Sequence, residues 1–144
     1  MRRLTSCLFF LGVAACARGE RAAEPLATRL AGTWEGRSFV VATDSGVPWT
    51  YVMTVGADGA LTGSLTFAGT NQPPVAMRAA VLTDSTVSWE LGPFFSPAVG
   101  AEVNSSAVAR YAGDSLWGTF EARPTAGGAP VRGTFRAKRT QGAM

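Results

Sequence analysis

Residues 48–67, PWTYVMTVGADGALTGSLTF, decide the fold of this chain. Large apolar side chains alternate with smaller or polar ones on both sides of Ala57-Asp58-Gly59. Period-two alternation interrupted by Asp-Gly is the strongest short-range signal of a β-hairpin. The large residues that share one face of this hairpin are Trp49, Tyr51, Met53, Val55, Leu61, Leu65 and Phe67. The same unit recurs along the rest of the chain, so the sequence predicts an all-β domain.

The composition is that of one folded domain with many turns. A chain of 144 residues is long enough to bury a hydrophobic core. Its 17 Gly and 8 Pro accompany 47% hydrophobic residues, which is typical of a foldable, turn-rich protein. The formal net charge of +3 falls close to neutral if the first residues, with Arg2 and Arg3, are removed. We therefore expect no nucleic-acid partner.

The N-terminus carries an export signal. Met1-Arg2-Arg3 precedes an apolar run over residues 4–15 that is too short to span a bilayer. The following Val13-Ala14-Ala15-Cys16 resembles the bacterial lipoprotein signal. That resemblance implies cleavage before Cys16, lipid attachment to Cys16, and a membrane as partner. With Ala17 next, it implies the outer membrane of the cell envelope. The alternative is an ordinary secretory signal that is cut nearby.

The sequence then divides into three parts. Residues 1–15 are the predicted signal peptide, residues 16–30 the lipidated cysteine and a tether, and residues 31–140 a β-barrel domain. The tether is charged and rich in alanine, and it is interpreted as a flexible coil, with a short helical turn as the alternative.

Eight alternating runs, rich in Val, Thr, Phe and Trp, predict eight strands. The runs are residues 32–41, 49–55, 60–68, 75–82, 86–91, 99–111, 116–123 and 131–139. The second, fourth and sixth connections are short and contain Asp58, Asp84 and Asp114, whereas the other four are longer and contain proline. In an up-and-down meander, alternate connections lie at opposite ends. The pattern predicts a closed, eight-stranded antiparallel up-and-down barrel with a closed end of short turns and an open end of long loops.

The alternation also assigns side chains to the two faces of the barrel. The predicted inward residues are Trp34, Met53, Leu65, Phe67, Met77, Val81, Trp89, Leu91, Val103, Leu116, Phe120, Val131 and Phe135. The predicted outward residues are Glu35, Arg37, Thr54, Thr62, Arg78, Glu102, Arg110, Glu121, Arg132 and Arg136. The interior is therefore expected to be apolar.

At Gly32-Thr33-Trp34 the chain resembles the lipocalin and avidin group of barrels (calycins), whose first strand begins with Gly-X-Trp. Residues 56–63 are also similar to the second hairpin of streptavidin. The resemblance implies that Trp34 plugs the closed end and that Arg139 packs over its indole. Leu65 and Phe67 stand where the streptavidin hairpin places polar ligand contacts, so biotin binding is not implied.

The sequence contains few of the residue types that catalysis commonly uses. The chain has no histidine, and the signal peptide and the lipid use its two cysteines, so catalytic triads and most metal sites are excluded. We expect no enzyme, no metal and no cofactor.

Two functions stay open. An eight-stranded barrel is just wide enough to be filled by side chains or to hold one small ligand. The first hypothesis is an exported, lipid-anchored lipocalin-like barrel that binds a small apolar ligand at its open end, with large aromatics as a lid or contact surface. The residues predicted for ligand binding are Trp49, Met53, Leu65, Phe67, Met77, Trp89, Phe94, Phe95 and Phe120. The second is an envelope structural or protein-interaction module with a filled barrel, its partner unknown.

Overall fold

The computed structural model describes residues 24–41 and 45–140, and in them eight antiparallel strands close into a barrel in sequence order. The predicted signal peptide, Cys16 and the remainder of the predicted tether up to residue 23 lie outside the described residues. The elements are α1 (Leu26–Leu30), β1 (Gly32–Phe39), β2 (Val47–Val55), β3 (Leu61–Phe67), β4 (Val75–Thr83), β5 (Thr86–Ser96), β6 (Ala101–Ala112), β7 (Ser115–Pro124) and β8 (Val131–Arg139). The predicted all-β, eight-stranded up-and-down barrel is confirmed.

Three of the four connections at one end of the barrel, residues 40–46, 68–74 and 125–130, are longer than any connection at the other end, as predicted. The predicted long loop between β5 and β6 is wrong, because residues 97–100 form a connection of only four residues. In the turn between β2 and β3, Gly56 donates a backbone hydrogen bond of 2.9 Å to Ala60. The Asp58 carboxylate accepts a 3.1 Å bond from the Ala60 amide, and Gly59 adopts a φ of +78°, which glycine reaches without strain. These local interactions explain why the sequence marks this turn so clearly.

Strand β5 extends further than its sequence pattern indicated. The predicted end at Leu91 is wrong, because pairing with β6 resumes at Phe94 and continues to Ser96. The register shifts between Leu91 and Phe94, at a β-bulge where Gly92 has a φ of +122°. A bulge accommodates the missing N–H of Pro93 inside a paired strand. The residues after Pro93, which the proline indicated as loop, therefore belong to strand β5.

The two faces follow the predicted alternation. The residues expected inside are buried or half-buried, with the exception of Val81, which is exposed. Val81 still pairs with Val87, which is fully buried, so the two share the inner face. Val81 is exposed because it lies near the end of β4, next to the register shift between Val81 and Thr83.

A plug of four residues, Leu26, Leu30, Trp34 and Arg139, closes the end with the short turns. Leu30 and Trp34 are fully buried, and the Trp34 indole N–H donates a 2.9 Å hydrogen bond to the Leu30 carbonyl. The Arg139 guanidinium lies 4.5 Å from the centroid of the Trp34 ring, which is the predicted contact, and it also donates to the carbonyls of Arg29 and Ala31.

Helix α1 belongs to this folded unit, although the sequence analysis placed residues 26–30 in the tether. Leu26 and Leu30 are one helical turn apart, so both face the barrel and join its core. Among the described residues, no helix has the length and apolarity that crossing a bilayer requires.

Candidate functional site

The open end of the barrel contains a cavity of about 40 Å³, which we call the open-end cavity. Its lining comes from β1, β2, β3, β5, β6, β7, β8 and the loop after β5, so no single stretch of sequence encodes it. The lining residues are Ser38, Trp49, Tyr51, Leu65, Phe67, Trp89, Leu91, Phe94, Ser96, Ala98, Ser105, Ala107, Phe120, Ala122 and Phe135.

Four aromatic rings from β2, β5 and β8 form a continuous cluster across the interior of the barrel. Trp49 and Tyr51 are neighbours on the inner face of β2, with ring centroids 4.4 Å apart. Tyr51 meets Trp89 of β5 edge to face at 5.4 Å, and Trp89 meets Phe135 of β8 at 5.4 Å. Trp49 and Phe135 complete the cluster at 6.2 Å. These spacings and angles are those at which aromatic pairs attract one another beyond simple burial.

Small side chains line the cavity on two neighbouring strands, beside the larger Phe120. Ser105 and Ala107 lie on the inner face of β6, and Ala122 on that of β7. In a closed barrel of eight strands, β6 is four strands from β2 and stands opposite it. Trp49 and Tyr51 of β2 therefore project toward the small residues of β6, and this pairing contributes to the space left between them.

The polar groups of the cavity differ in how well they are satisfied. The Trp49 indole N–H donates a 2.8 Å hydrogen bond to the Ser38 hydroxyl. The Trp89 indole N–H is buried and has no hydrogen-bond partner among the described residues. The Tyr51 hydroxyl is near enough to Trp89 to feel its N–H, but the contact lacks hydrogen-bond geometry. A buried donor without a partner is uncommon and calls for a physical explanation.

The Tyr51 hydroxyl is held in its neutral form. Burial raises the pKa of this phenol far above its usual range, and the contact with Trp89 offsets only a small part of that effect. Within the described part of the chain, no charged side chain lines the cavity. The interior therefore suits a neutral guest, because removing an ion from water is costly when nothing pairs with it.

Phe94 covers the cavity at its outer edge. Its ring stacks on Phe67 with centroids 5.6 Å apart and an interplanar angle of 20°. Only 9% of Phe94 is exposed, whereas 53% of the next residue, Phe95, is exposed. The two phenylalanines follow the alternation of β5, so one points in and the other points out.

The predicted site residues fall into three groups. Six of them line the cavity together: Trp49, Leu65, Phe67, Trp89, Phe94 and Phe120. Met53 and Met77 are buried nearer the closed end and do not line it, and Phe95 lies on the outer surface.

Sequence reasoning left out several residues of this site. Tyr51 shares the inward parity of Trp49 and Met53, so the alternation of β2 could have included it. Ser105, Ala107 and Ala122 carry no such signal, because small residues occur on either face of a strand.

Comparisons with known proteins support the fold. The chain is similar to the solved structure of EF1p2_mFAP2b bound to DFHBI, with a TM-score of 0.53 and 14% sequence identity. The alignment covers 80% of this chain and 97% of that one. No protein-family model matches the chain, and no curated protein matches it.

Proposed function

We propose that this barrel binds a small apolar molecule in the open-end cavity. The observation that carries the proposal is the cavity itself, since aromatic rings from three strands converge at the end where the barrel has its long loops. Ligand sites are typically concave, mostly apolar and supplied with a few polar groups, which describes this lining. The similar solved structure, EF1p2_mFAP2b, is bound to DFHBI.

Binding requires Phe94 to move. A cavity of about 150 Å³ accommodates benzene, so the 40 Å³ seen here has room for little more than water. We infer that displacement of Phe94 enlarges it, because this ring lines the cavity near the open end of β5, is 9% exposed and stacks on Phe67. In this proposal Phe94 covers the empty site and a guest takes its place.

Phe94→Ala is therefore expected to bind indane at least about tenfold more tightly than the unchanged protein. The guest then no longer displaces a stacked and buried ring, an interaction worth roughly 2–4 kcal/mol. Isothermal titration calorimetry of the purified protein with indane measures this directly. Phe95→Ala is the matched control, since Phe95 is the adjacent ring but does not line the cavity, and it should leave the affinity unchanged. Equal effects of the two substitutions would contradict the role of Phe94.

A second candidate is a protein-interaction module of the envelope with a filled barrel. The small size of the cavity favours it, as do two exposed aromatics, Phe95 and Trp117. The same titration separates the two functions. A ligand-binding barrel takes up one indane per chain in a saturable manner, whereas an interaction module shows no saturable heat even when Phe94 is truncated.

We further propose that the protein is attached to the outer membrane through a lipid on Cys16. The support is the sequence Val13-Ala14-Ala15-Cys16 behind a basic and apolar segment. Helix α1 lies against the closed end, so an anchor that precedes it leaves the open end accessible. On this proposal the protein is non-enzymatic and meets its guest away from the bilayer.

Cys16→Ser is expected to abolish lipidation in a bacterial host that processes lipoproteins. The product should lose the lipid mass in intact mass spectrometry and move from the membrane fraction to the soluble fraction. Cys7→Ser is the control, because Cys7 lies within the predicted signal peptide and should leave both properties intact. A membrane-bound, lipid-bearing Cys16→Ser product would show that Cys16 is not the attachment site.

A further inference from the structure

We propose that the guest of the open-end cavity is a neutral molecule that carries a hydrogen-bond acceptor, received by the Tyr51 hydroxyl and the Trp89 indole N–H. This inference rests on the proposed function and narrows the class of ligand. It excludes pure hydrocarbons as the preferred guests, and it excludes anions and cations.

The Trp89 indole provides a buried hydrogen-bond donor that the described residues leave unsatisfied. The Trp89 side chain is 2% exposed and lines the cavity, and its N–H has no hydrogen-bond partner in the described part of the chain. An indole nitrogen donates only, so it can be satisfied by an acceptor and by nothing else. Leaving such a donor buried without a partner costs free energy, which a bound acceptor would recover.

The other tryptophan of the cluster, Trp49, does have a hydrogen-bond partner for its indole N–H. Both indoles belong to the same aromatic cluster, yet Trp49 donates to Ser38 at 2.8 Å and Trp89 does not donate to any described residue. The residue placed nearest to supply an acceptor is Tyr51, whose ring centroid is 5.4 Å from that of Trp89. Residues that serve only as core usually satisfy their polar atoms, as Trp49 does.

Tyr51 adds a second donor beside the first. Tyr51 lines the cavity and is 5% exposed, and its hydroxyl interacts with the Trp89 N–H without reaching hydrogen-bond geometry. Since burial keeps the phenol protonated, Tyr51 presents O–H and not O⁻ to a guest. The Tyr51 O–H and the Trp89 N–H are each single donors on neighbouring rings, and one acceptor atom with two lone pairs, such as a carbonyl oxygen, can receive both.

The charge of the guest follows from the remainder of the lining. The other polar groups that line the cavity are the hydroxyls of Ser38, Ser96 and Ser105, and no acidic or basic side chain among the described residues joins them. Hydroxyls and an indole can satisfy a carbonyl, ether or aromatic nitrogen, but they do not neutralise a full charge. The free cavity, at about 40 Å³, has room for water that such a guest would replace.

The test uses two probes of nearly the same shape, indane and 1-indanone, which differ by one carbonyl group. Tyr51→Phe should lower the affinity for 1-indanone about three- to tenfold, the range that one hydrogen bond supplies. It should change the affinity for indane by no more than about twofold. Titration calorimetry on the full chain measures both. Tyr111→Phe is the matched control and should alter neither affinity, because Tyr111 packs against Trp34 at the closed end.

An independent readout follows the Trp89 N–H itself. In proton–nitrogen correlation spectra, the indole resonance of Trp89 should move downfield when 1-indanone is added and stay near its free position with indane. Trp89→Phe assigns the resonance by its absence.

The outcomes separate this inference from the function on which it rests. Suppose that both probes bind, that Tyr51→Phe changes their affinities equally or not at all, and that the Trp89 resonance does not move. The cavity is then a site for apolar guests that does not recognise a hydrogen-bond acceptor. If neither probe binds to the unchanged protein or to Phe94→Ala, the proposed function fails and this inference fails with it.

Discussion

Replacing Trp34 with alanine is expected to lower the free energy of unfolding by about 3–5 kcal/mol, the range for a large aromatic side chain lost from a core. Trp34 is fully buried, its indole N–H is bonded to the Leu30 carbonyl, and Tyr111 packs against it edge to face at 5.9 Å. The substitution removes all of these contacts and leaves a cavity between α1 and the barrel. It also leaves the Arg139 guanidinium without the ring beneath it.

Chemical denaturation followed by circular dichroism measures this loss. Trp117→Ala is the matched control, because Trp117 is an exposed tryptophan on the outer face of β7 and should cost less than about 1 kcal/mol. If Trp34→Ala does not fold, Trp34→Phe keeps a ring but removes the bond to Leu30 and should show a smaller, measurable loss. A loss below about 1 kcal/mol for Trp34→Ala would mean that this residue does not plug the barrel.

Leu30→Ala is expected to cost about 2–5 kcal/mol, although it changes a residue that precedes the first strand. Leu30 is fully buried and packs in the same cluster as Leu26 and Trp34. Truncating it removes apolar contacts beneath the closed end and loosens the helix whose carbonyls receive Trp34 and Arg139. The effect should be comparable with that of a truncation inside the barrel.

The control for this prediction is Thr28→Ala on the same helix. Thr28 is exposed, and alanine favours a helix slightly more than threonine does, so the unfolding free energy should change by less than about 0.5 kcal/mol. If Leu30→Ala and Thr28→Ala behave alike under the same denaturation protocol, residues 26–30 are a tether after all and the barrel is stable without them.

The elements that the sequence predicted well are those whose signals are local. Residues 48–67 contain both strands of a hairpin and the Asp58 side chain that braces the turn, so each cause lies within a few residues of its effect. Alternate connection lengths then predicted which end of the barrel is closed. The contact of Arg139 with Trp34 was implied by the Gly-X-Trp resemblance, and it fits the start of the first strand and the end of the last at the same end of the barrel.

Two elements, helix α1 and the end of strand β5, differ from the prediction because they depend on contacts that are distant in sequence. Helix α1 is five residues long, which is too short to show a helical period, and its stability comes from the barrel that it covers. The continuation of β5 beyond Pro93 depends on a bulge that forms only against β6. In both cases a partner distant in sequence overrules the local preference.

The sequence alone determined the strand order, the two ends of the barrel and the face on which most side chains lie, because side chains alternate along any strand whatever its neighbours. Tertiary structure alone decided that Phe94 points inward while Phe95 points outward, that the Trp89 N–H has no partner among residues 24–41 and 45–140, and that about 40 Å³ stays open. The volume left inside a barrel depends on which side chains meet from walls four strands apart. No local sequence pattern indicates which side chains on opposite strands will come into contact.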